Sequence, residues 1–160
     1  MPFDLAAVRG AIARGLPSRA LWTVDNTPLA YDFSAGHGGL ESIEAVAATD
    51  GFALEDDWFD LLVFGESDYA EGGGATPFLV VRGRDGLVCG LDLERDDRPV
   101  FPINSTIDHF IDTFSFLDMF LGAGQRLPST CEDAVRGIDP DIYEHSEWRD
   151  LVRHQLAAQE

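Results

Sequence analysis

The sequence predicts an α+β fold with a mainly antiparallel sheet of about five or six strands and helices packed against it. Short apolar runs flank the turn sequences Asp25-Asn26-Thr27-Pro28 and Arg84-Asp85-Gly86, as in β-hairpins. Segments near both ends of the chain carry apolar residues three and four positions apart, which is typical of amphipathic helices. The length of 160 residues and the hydrophobic fraction of 45% fit one globular domain over residues 1–160.

The first half of the chain alternates helical and strand patterns. The Gly-rich breaks and the spacing of the apolar residues set the boundaries of these elements. The predicted elements are, in chain order, a helix over residues 3–14, strands over 20–24 and 29–33, a helix over 41–48, and a strand in the second half of the apolar run 58–64.

The second half begins with a polar, Gly-rich loop over residues 67–76 and ends in helices. Three strands are predicted between them, over 78–82, 87–93 and 100–103. A long helix then begins at a capping-box pattern, Ser105 with Asp108 three residues later, and ends at Gly122. The last predicted helix spans residues 140–158.

The long helix carries large apolar residues on two sides. The first side repeats at helical spacing and is predicted to be buried. Its members are Ile107, Phe110, Ile111, Phe114, Leu117 and Leu121. Phe116 and Met119 lie on the opposite side, where they indicate either a second buried contact or an interface between molecules.

The charge of the chain is strongly negative and unevenly distributed. The net charge is -18, all eleven basic residues are Arg, and no Arg or Lys lies between Arg19 and Arg82, where twelve acidic residues fall. Such a surface repels nucleic acid, because binding nucleic acid requires basic groups that neutralise phosphates. It attracts a basic protein and accelerates its association. The alternative is that the acidic residues only keep the protein soluble.

No catalytic, cofactor or metal site is predicted, and the chain is not expected to be an enzyme. Gly72-Gly73-Gly74 lacks the Lys and following helix of a phosphate loop. The four His residues have no metal-ligand spacing. Ser67 lies outside a GxSxG motif, and Cys89 falls in an apolar strand where burial makes a thiol inert.

The expected location is the cytoplasm. The N-terminal sequence MPFDLAAVRG has no basic region of the kind that opens a signal peptide, and no apolar run reaches the roughly 20 residues of a membrane helix. Cys89 and Cys131 are therefore expected to be reduced thiols.

Phe64-Gly65 closes a strand before an acidic, Gly-rich loop, and an aliphatic hairpin spans residues 78–92. An apolar strand and the pair Asn104-Ser105 then lead into a helix with Phe110. In these features the chain from Phe64 to Leu121 resembles the SUKH superfamily, whose bacterial members include many immunity proteins of toxin systems. The tail, with Ile138-Asp139-Pro140 and Trp148, is also similar.

The resemblance implies an α+β fold without catalysis and direct neutralisation of a cognate toxin. Members of this superfamily are associated with nuclease and deaminase toxins. Toxins that bind nucleic acid tend to carry basic surfaces, which an acidic protein can cover.

The sequence thus predicts a protein that binds a basic partner, as a monomer or weak dimer, through acidic residues beside aromatic ones. The predicted contact residues are Glu55, Asp56, Asp57, Trp58, Asp60, Glu66, Asp68, Tyr69 and Glu71. For Trp58 the alternative is burial in the core. Two other functions stay open, a regulatory or scaffold module that binds a cellular protein and, more remotely, a hydrolase with paired carboxylates.

Overall fold

The structure is a computed structural model that describes residues 4–24, 27–69, 77–93 and 99–159, with the backbone alone for residues 68 and 69. The helices in these ranges are α1 (Leu5–Gly15), α2 (Ser34–His37), α3 (Ile43–Asp50), α4 (Ile107–Leu121), α5 (Cys131–Ile138) and α6 (Glu147–Ala158). The strands are β1 (Arg19–Val24), β2 (Thr27–Asp32), β3 (Glu41–Ser42), β4 (Leu61–Tyr69), β5 (Phe78–Arg82), β6 (Val88–Leu91) and β7 (Val100–Asn104). Two 3₁₀ turns lie at Asp56–Trp58 and Tyr143–His145.

The predicted fold class is confirmed. The strands pair in the order β1-β2-β4-β5-β6-β7, every described pair is antiparallel, and helices pack against the sheet. The sheet has seven strands where five or six were predicted. The additional strand is β3, which pairs with the beginning of β4 and has only two residues, too few to produce a periodic pattern.

The central strand, β4, is longer than its sequence predicts. The prediction ended it at Phe64 and began a loop at Ser67, but the strand continues to Tyr69 and pairs there with β2, Ser67 opposite Tyr31. A shift in the pairing with β5 between Val63 and Gly65 marks a bulge in the strand. Polar residues enter the strand beyond the bulge because the hydrogen bonds to β2 and β5 do not depend on apolar side chains.

Each face of the sheet buries its own apolar cluster. We call the face covered by α1, α4, α5 and α6 the first face, and the face covered by α3 and the first 3₁₀ turn the second face. Along β5, Leu79 and Val81 point to the first face, whereas Phe78 and Val80 point to the second. Burial on both sides explains why β5 is continuously apolar rather than alternating.

Aromatic rings fill the centre of the first face. Trp22 of β1 stacks on Phe114 of α4 with 4.8 Å between ring centroids, and Phe64 meets Phe110 edge to face at 5.2 Å. Trp148 of α6 lies 5.7 Å from Phe110. These contacts join the sheet to α4 and α6, and such ring pairs stabilise a core by about 1 kcal/mol each beyond simple burial.

The beginning of α4 differs from the predicted capping box. Thr106, not Ser105, is the N-cap, and its hydroxyl accepts a hydrogen bond from the His109 amide at 3.1 Å. Ser105 is engaged elsewhere. Its amide and its hydroxyl both donate to the carboxylate of Asp139, each at 2.7 Å.

Asp139 is the centre of a buried polar network. The side-chain amide of Asn104 donates to it through Nδ2 at 3.1 Å, and the indole N–H of Trp148 donates to Asn104 Oδ1 at 2.6 Å. Asp139 and Asn104 are almost completely buried. The network therefore links the end of β7, the entry to α4, the end of α5 and the first turn of α6.

The two apolar residues on the outer side of α4 lie in different environments. Phe116 packs against the first-face core and against Phe120, with 5.5 Å between ring centroids, whereas Met119 is 66% exposed. Phe116 is thus partly buried against the first-face core, and Met119 is the exposed member of the pair.

The C-terminal region contains one more helix than predicted. The predicted helix over 140–158 begins only at Glu147, with Ser146 as its N-cap, and the shorter α5 precedes it. Glu132 of α5 accepts hydrogen bonds from the Tyr143 hydroxyl at 2.8 Å and from Arg153 of α6 at 2.6 Å. These bonds lower the pKa of Glu132, Arg153 having the larger effect.

We predict that Asp139→Ala lowers the free energy of unfolding by about 3 kcal/mol, because it leaves the donors of the buried Asn104 and the half-buried Ser105 without their acceptor. Urea unfolding checks this. Asp141→Ala is the matched control, since Asp141 is exposed and its removal should change stability by less than about 0.5 kcal/mol. Equal effects of the two substitutions would contradict the role given to the network.

We predict that Glu132→Gln reduces the amount by which acid lowers the free energy of unfolding. A carboxylate whose pKa is lowered on folding stabilises the fold above its ordinary value of 4.5, and this contribution disappears as the pH falls through the folded-state value. Unfolding free energies at about pH 6 and about pH 3 should therefore differ less in the variant. Tyr143→Phe, which removes one of the two bonds, should lie between. Parallel pH curves for wild type and Glu132→Gln would refute the prediction.

Candidate protein-binding surface

Residues 41–60, which we call the acidic segment, cover the second face of the sheet with α3 and the first 3₁₀ turn and pair with its edge through β3. It comprises β3, α3, the following loop and the first 3₁₀ turn. Its charged residues are all acidic: Glu41, Glu44, Asp50, Glu55, Asp56, Asp57 and Asp60. All except Asp60 are exposed. Six exposed carboxylates thus lie on the segment that covers the second face.

Apolar side chains on the inner side hold the acidic segment to the sheet. Ile43 and Val46 of α3 and Trp58 of the 3₁₀ turn are buried against Val63 and Val80. The ring of Phe52 packs on Phe78 with 6.0 Å between centroids. The segment is therefore amphipathic, with its carboxylates on the outside of a packed layer.

Local signals fix the ends of α3. The Ser42 hydroxyl accepts a hydrogen bond from the Ala45 amide at 3.2 Å, and Gly51 ends the helix with a positive φ of 79°. The helix therefore spans Ile43–Asp50, two residues later than the predicted 41–48. The difference arises because Glu41 and Ser42 pair with β4 as β3.

Asp60 is held by the turn between β5 and β6. Its carboxylate accepts a hydrogen bond from the Arg84 amide at 2.8 Å and lies 3.1 Å from the Arg84 guanidinium. The Arg84 guanidinium also donates to the Asp57 carbonyl oxygen at 2.7 Å. Asp60, only 12% exposed at its side chain, thus joins the acidic segment to the sheet and presents little charge outward.

The exposed aromatic ring of the acidic segment is Phe59, not Trp58. Trp58 is 6% exposed and belongs to the second-face core, which was the alternative for this residue, whereas Phe59 is 68% exposed. The Arg84 guanidinium lies 5.5 Å from the centroid of the Phe59 ring. Leu54, 41% exposed, adds a second apolar group to the acidic surface.

The other predicted contact residues follow the acidic segment on β4 or fall outside the described residues. Glu66 is exposed on β4, where it pairs with Phe78, a second-face residue whose ring packs on Phe52 of the acidic segment. Asp68 and Tyr69 pair through their backbones with Ala30 and Leu29. Glu71 falls outside the described residues. Of the predicted set, the acidic segment brings together Glu55, Asp56, Asp57, Trp58 and Asp60.

Sequence reasoning missed Arg84 and Phe59. Arg84 lies 24 residues from Asp60 along the chain, so only the fold shows that a cation adjoins the acidic segment. Its neighbour Arg82 donates to Asp85, and this hydrogen bond lowers the pKa of the Asp85 carboxyl. The apolar run that contains Phe59 shows no alternation, which leaves no signal of which ring faces outward.

A hydroxyl, an imidazole and a carboxylate meet at Ser105, His109 and Asp139, in an order unlike that of a catalytic triad. In a triad the imidazole lies between the hydroxyl and the carboxylate. Here the Ser105 hydroxyl donates directly to Asp139, and His109 Nδ1 lies 3.1 Å from the hydroxyl and 3.6 Å from Asp139. The cluster fixes the entry to α4.

The two thiols are buried and free, as predicted for Cys89. Burial raises the pKa of Cys89 and of Cys131 to about 11, which keeps both protonated near neutral pH. Within the described ranges, no group of three or more His, Cys, Asp or Glu residues could hold a metal ion.

We predict that substitutions of the two neighbouring aromatic residues lower the stability by very different amounts. Trp58→Ala should lower the free energy of unfolding by about 4 kcal/mol, because it leaves a cavity in the second-face core. Phe59→Ala should cost less than about 1 kcal/mol, since it removes only an exposed ring beside Arg84. Urea unfolding measures both, and a larger loss for Phe59→Ala would reverse our assignment of core and surface.

No family model matches the chain, and searches of curated proteins and of solved structures found no similar protein. The resemblance to the SUKH superfamily therefore stays a prediction. In the part of the chain that the structure describes, no helix has both the length and the apolar character needed to span a membrane.

Proposed function

We propose that this protein binds a basic protein partner through the acidic segment and neutralises it, in the manner of an intracellular immunity protein. The observation that carries the proposal is the composition of that surface. Twenty consecutive residues hold seven acidic side chains and no basic one, and six of the seven are exposed. The field of such a surface draws a basic protein to this side of the molecule.

Exposed apolar side chains among the acidic residues support the proposal that the partner is a protein. Charge mainly accelerates association, whereas buried aromatic contacts supply most of the binding free energy in protein interfaces. Phe59 and Leu54 provide such groups, and Glu55, Asp56 and Asp57 lie on the chain between them. The proposed contact surface consists of these five residues.

The kind of partner rests on a second line of reasoning. A basic surface is typical of proteins that act on nucleic acid, and an acidic protein that covers such a surface blocks access to the substrate. The resemblance to the SUKH superfamily adds that the partner is a toxin and that neutralisation occurs in the cytoplasm. A cellular protein bound at the same surface would instead indicate a regulatory module.

Replacing charges tests the surface. The variant Glu55→Gln/Asp56→Asn/Asp57→Asn lowers the net negative charge from -18 to -15, since three carboxylates are removed. The control Asp108→Asn/Asp112→Asn/Asp141→Asn gives the same -15 at exposed positions outside the acidic segment. Any difference between the two variants therefore reports the position of the charge rather than its total.

The measurement is capture from an extract of the source cells by the immobilised protein, at low salt and at about 0.5 M salt, which screens exposed charges strongly. We expect wild type and control to retain a basic protein that the Glu55/Asp56/Asp57 variant loses, and high salt to release it. Association rates with the purified partner should then fall about tenfold in that variant. Equal retention by both variants, or retention of no basic protein, would refute the proposal.

A further inference from the structure

A small pocket, which we call the polar pocket, lies between the last turn of α6, the loop after α4 and the edge strand β1. Its volume is about 160 Å³. None of the described residues that line it is acidic, and the polar ones are Thr23, Gln125, Arg126, Gln155 and Gln159. Because a cavity of about 150 Å³ holds a six-carbon ring, the polar pocket accommodates a ligand of roughly six non-hydrogen atoms.

Gln155 of α6 brings an unsatisfied hydrogen-bond donor to the polar pocket. It is 5% exposed, and the other described lining residues are half-buried or exposed, so Gln155 forms the inner wall. Its side-chain nitrogen, Nε2, is buried and has no hydrogen-bond partner. A buried amide N–H without an acceptor destabilises the fold, and an oxygen atom of a ligand in the pocket would satisfy it.

Only one other buried side-chain nitrogen in the described residues has no partner, and it belongs to a different kind of group. This atom is Nε of Arg149, whose guanidinium is already paired through its other nitrogens with Glu144 and Asp150. It therefore indicates no ligand. Gln155 differs because its unpartnered nitrogen belongs to a residue that lines a pocket.

Arg126 brings a positive charge to the rim of the polar pocket. Its guanidinium donates to the Gln159 carbonyl oxygen at 3.4 Å, which engages one of its N–H groups. No carboxylate of the described residues pairs with it. The remaining N–H groups can therefore bind an acceptor from outside the chain, and a carboxylate matches the planar guanidinium with two parallel hydrogen bonds.

Gln159 fixes the loop that carries Arg126. Its side-chain Oε1 accepts a hydrogen bond from the Leu127 amide at 2.8 Å, and its Nε2 donates to the Leu127 carbonyl oxygen at 3.0 Å. The side chain of Leu127 is buried in the first-face core. The wall that bears Arg126 is thus held in place by the chain itself, which lowers the cost of ordering it around a ligand.

We propose that the polar pocket binds a small monocarboxylate. The carboxylate accepts hydrogen bonds from Gln155 Nε2 and from the Arg126 guanidinium, and the short apolar remainder fits within the pocket. A single negative charge matches the single guanidinium, whereas a phosphate dianion would be repelled more strongly by a chain of net charge -18. This site is separate from the acidic segment, and the proposal does not depend on that segment binding a protein.

The probe is propionate, and propionamide, which has the same shape without the charge, is its matched control. Amide resonances of the isotope-labelled full chain are followed by NMR during each titration at constant ionic strength. We expect propionate to shift the resonances of Thr23, Arg126 and Gln155 saturably. Propionamide and inorganic phosphate should bind more weakly, because the first offers only neutral hydrogen bonds and the second carries more negative charge.

Two variants assign the binding to the polar pocket. Gln155→Leu removes a donor without a partner, so it should weaken propionate binding about tenfold without lowering the free energy of unfolding. Arg126→Gln should weaken binding about threefold, the scale of one exposed charge pair. The matched control, Arg14→Gln, changes the net charge equally at an exposed position of α1 and should leave propionate binding unchanged. Each variant's spectrum without ligand reports whether it folds.

Three results would overturn the proposal. An affinity for propionamide or phosphate that equals or exceeds that for propionate would show that the polar pocket does not select a monocarboxylate. Unchanged propionate binding in both Gln155→Leu and Arg126→Gln would place the binding elsewhere. The absence of saturable shifts with propionate would show that the pocket does not bind it.

Discussion

The buried carboxylate of Asp139 holds the first face of the molecule together. It accepts hydrogen bonds from Asn104 and Ser105, and Asn104 in turn accepts one from the Trp148 indole. A buried polar group is tolerated only where hydrogen-bond partners surround it, and a buried donor or acceptor that loses its partner destabilises the fold. The position of α6, which lines the polar pocket, therefore depends on this network.

The sheet separates two surfaces of different chemistry. On the first face, helices cover an aromatic core and leave a groove with apolar walls between the sheet and α6. On the second face, a single acidic segment covers a smaller core, with Trp58 inside and Phe59 outside. The sheet and its two clusters lie between the groove and the acidic segment. The Asp60–Arg84 contact holds the end of the acidic segment against the β5–β6 turn.

Local signals predicted much of the fold, whereas contacts between distant residues could not be predicted. The Asp85-Gly86 turn located the β5–β6 hairpin because turn chemistry depends on neighbouring residues. The partners of Asp139 lie 34 and 35 residues away along the chain, so no local sequence pattern indicates this network. For the same reason the sequence could not show that Ser105 bonds to Asp139 and leaves Thr106 as the N-cap of α4. The acidic surface followed from composition, but which aromatic residue faces outward depended on packing that a single sequence does not show.

Hydrogen–deuterium exchange on the complex with the retained basic protein tests most directly whether the acidic segment is the binding surface. Amides of residues 41–60, those around Phe59 above all, should exchange more slowly in the complex than in the free protein, while those of α4 and α6 stay unchanged. Protection of α6 and the groove with no change in residues 41–60 would contradict the account, because the partner would then contact the first face.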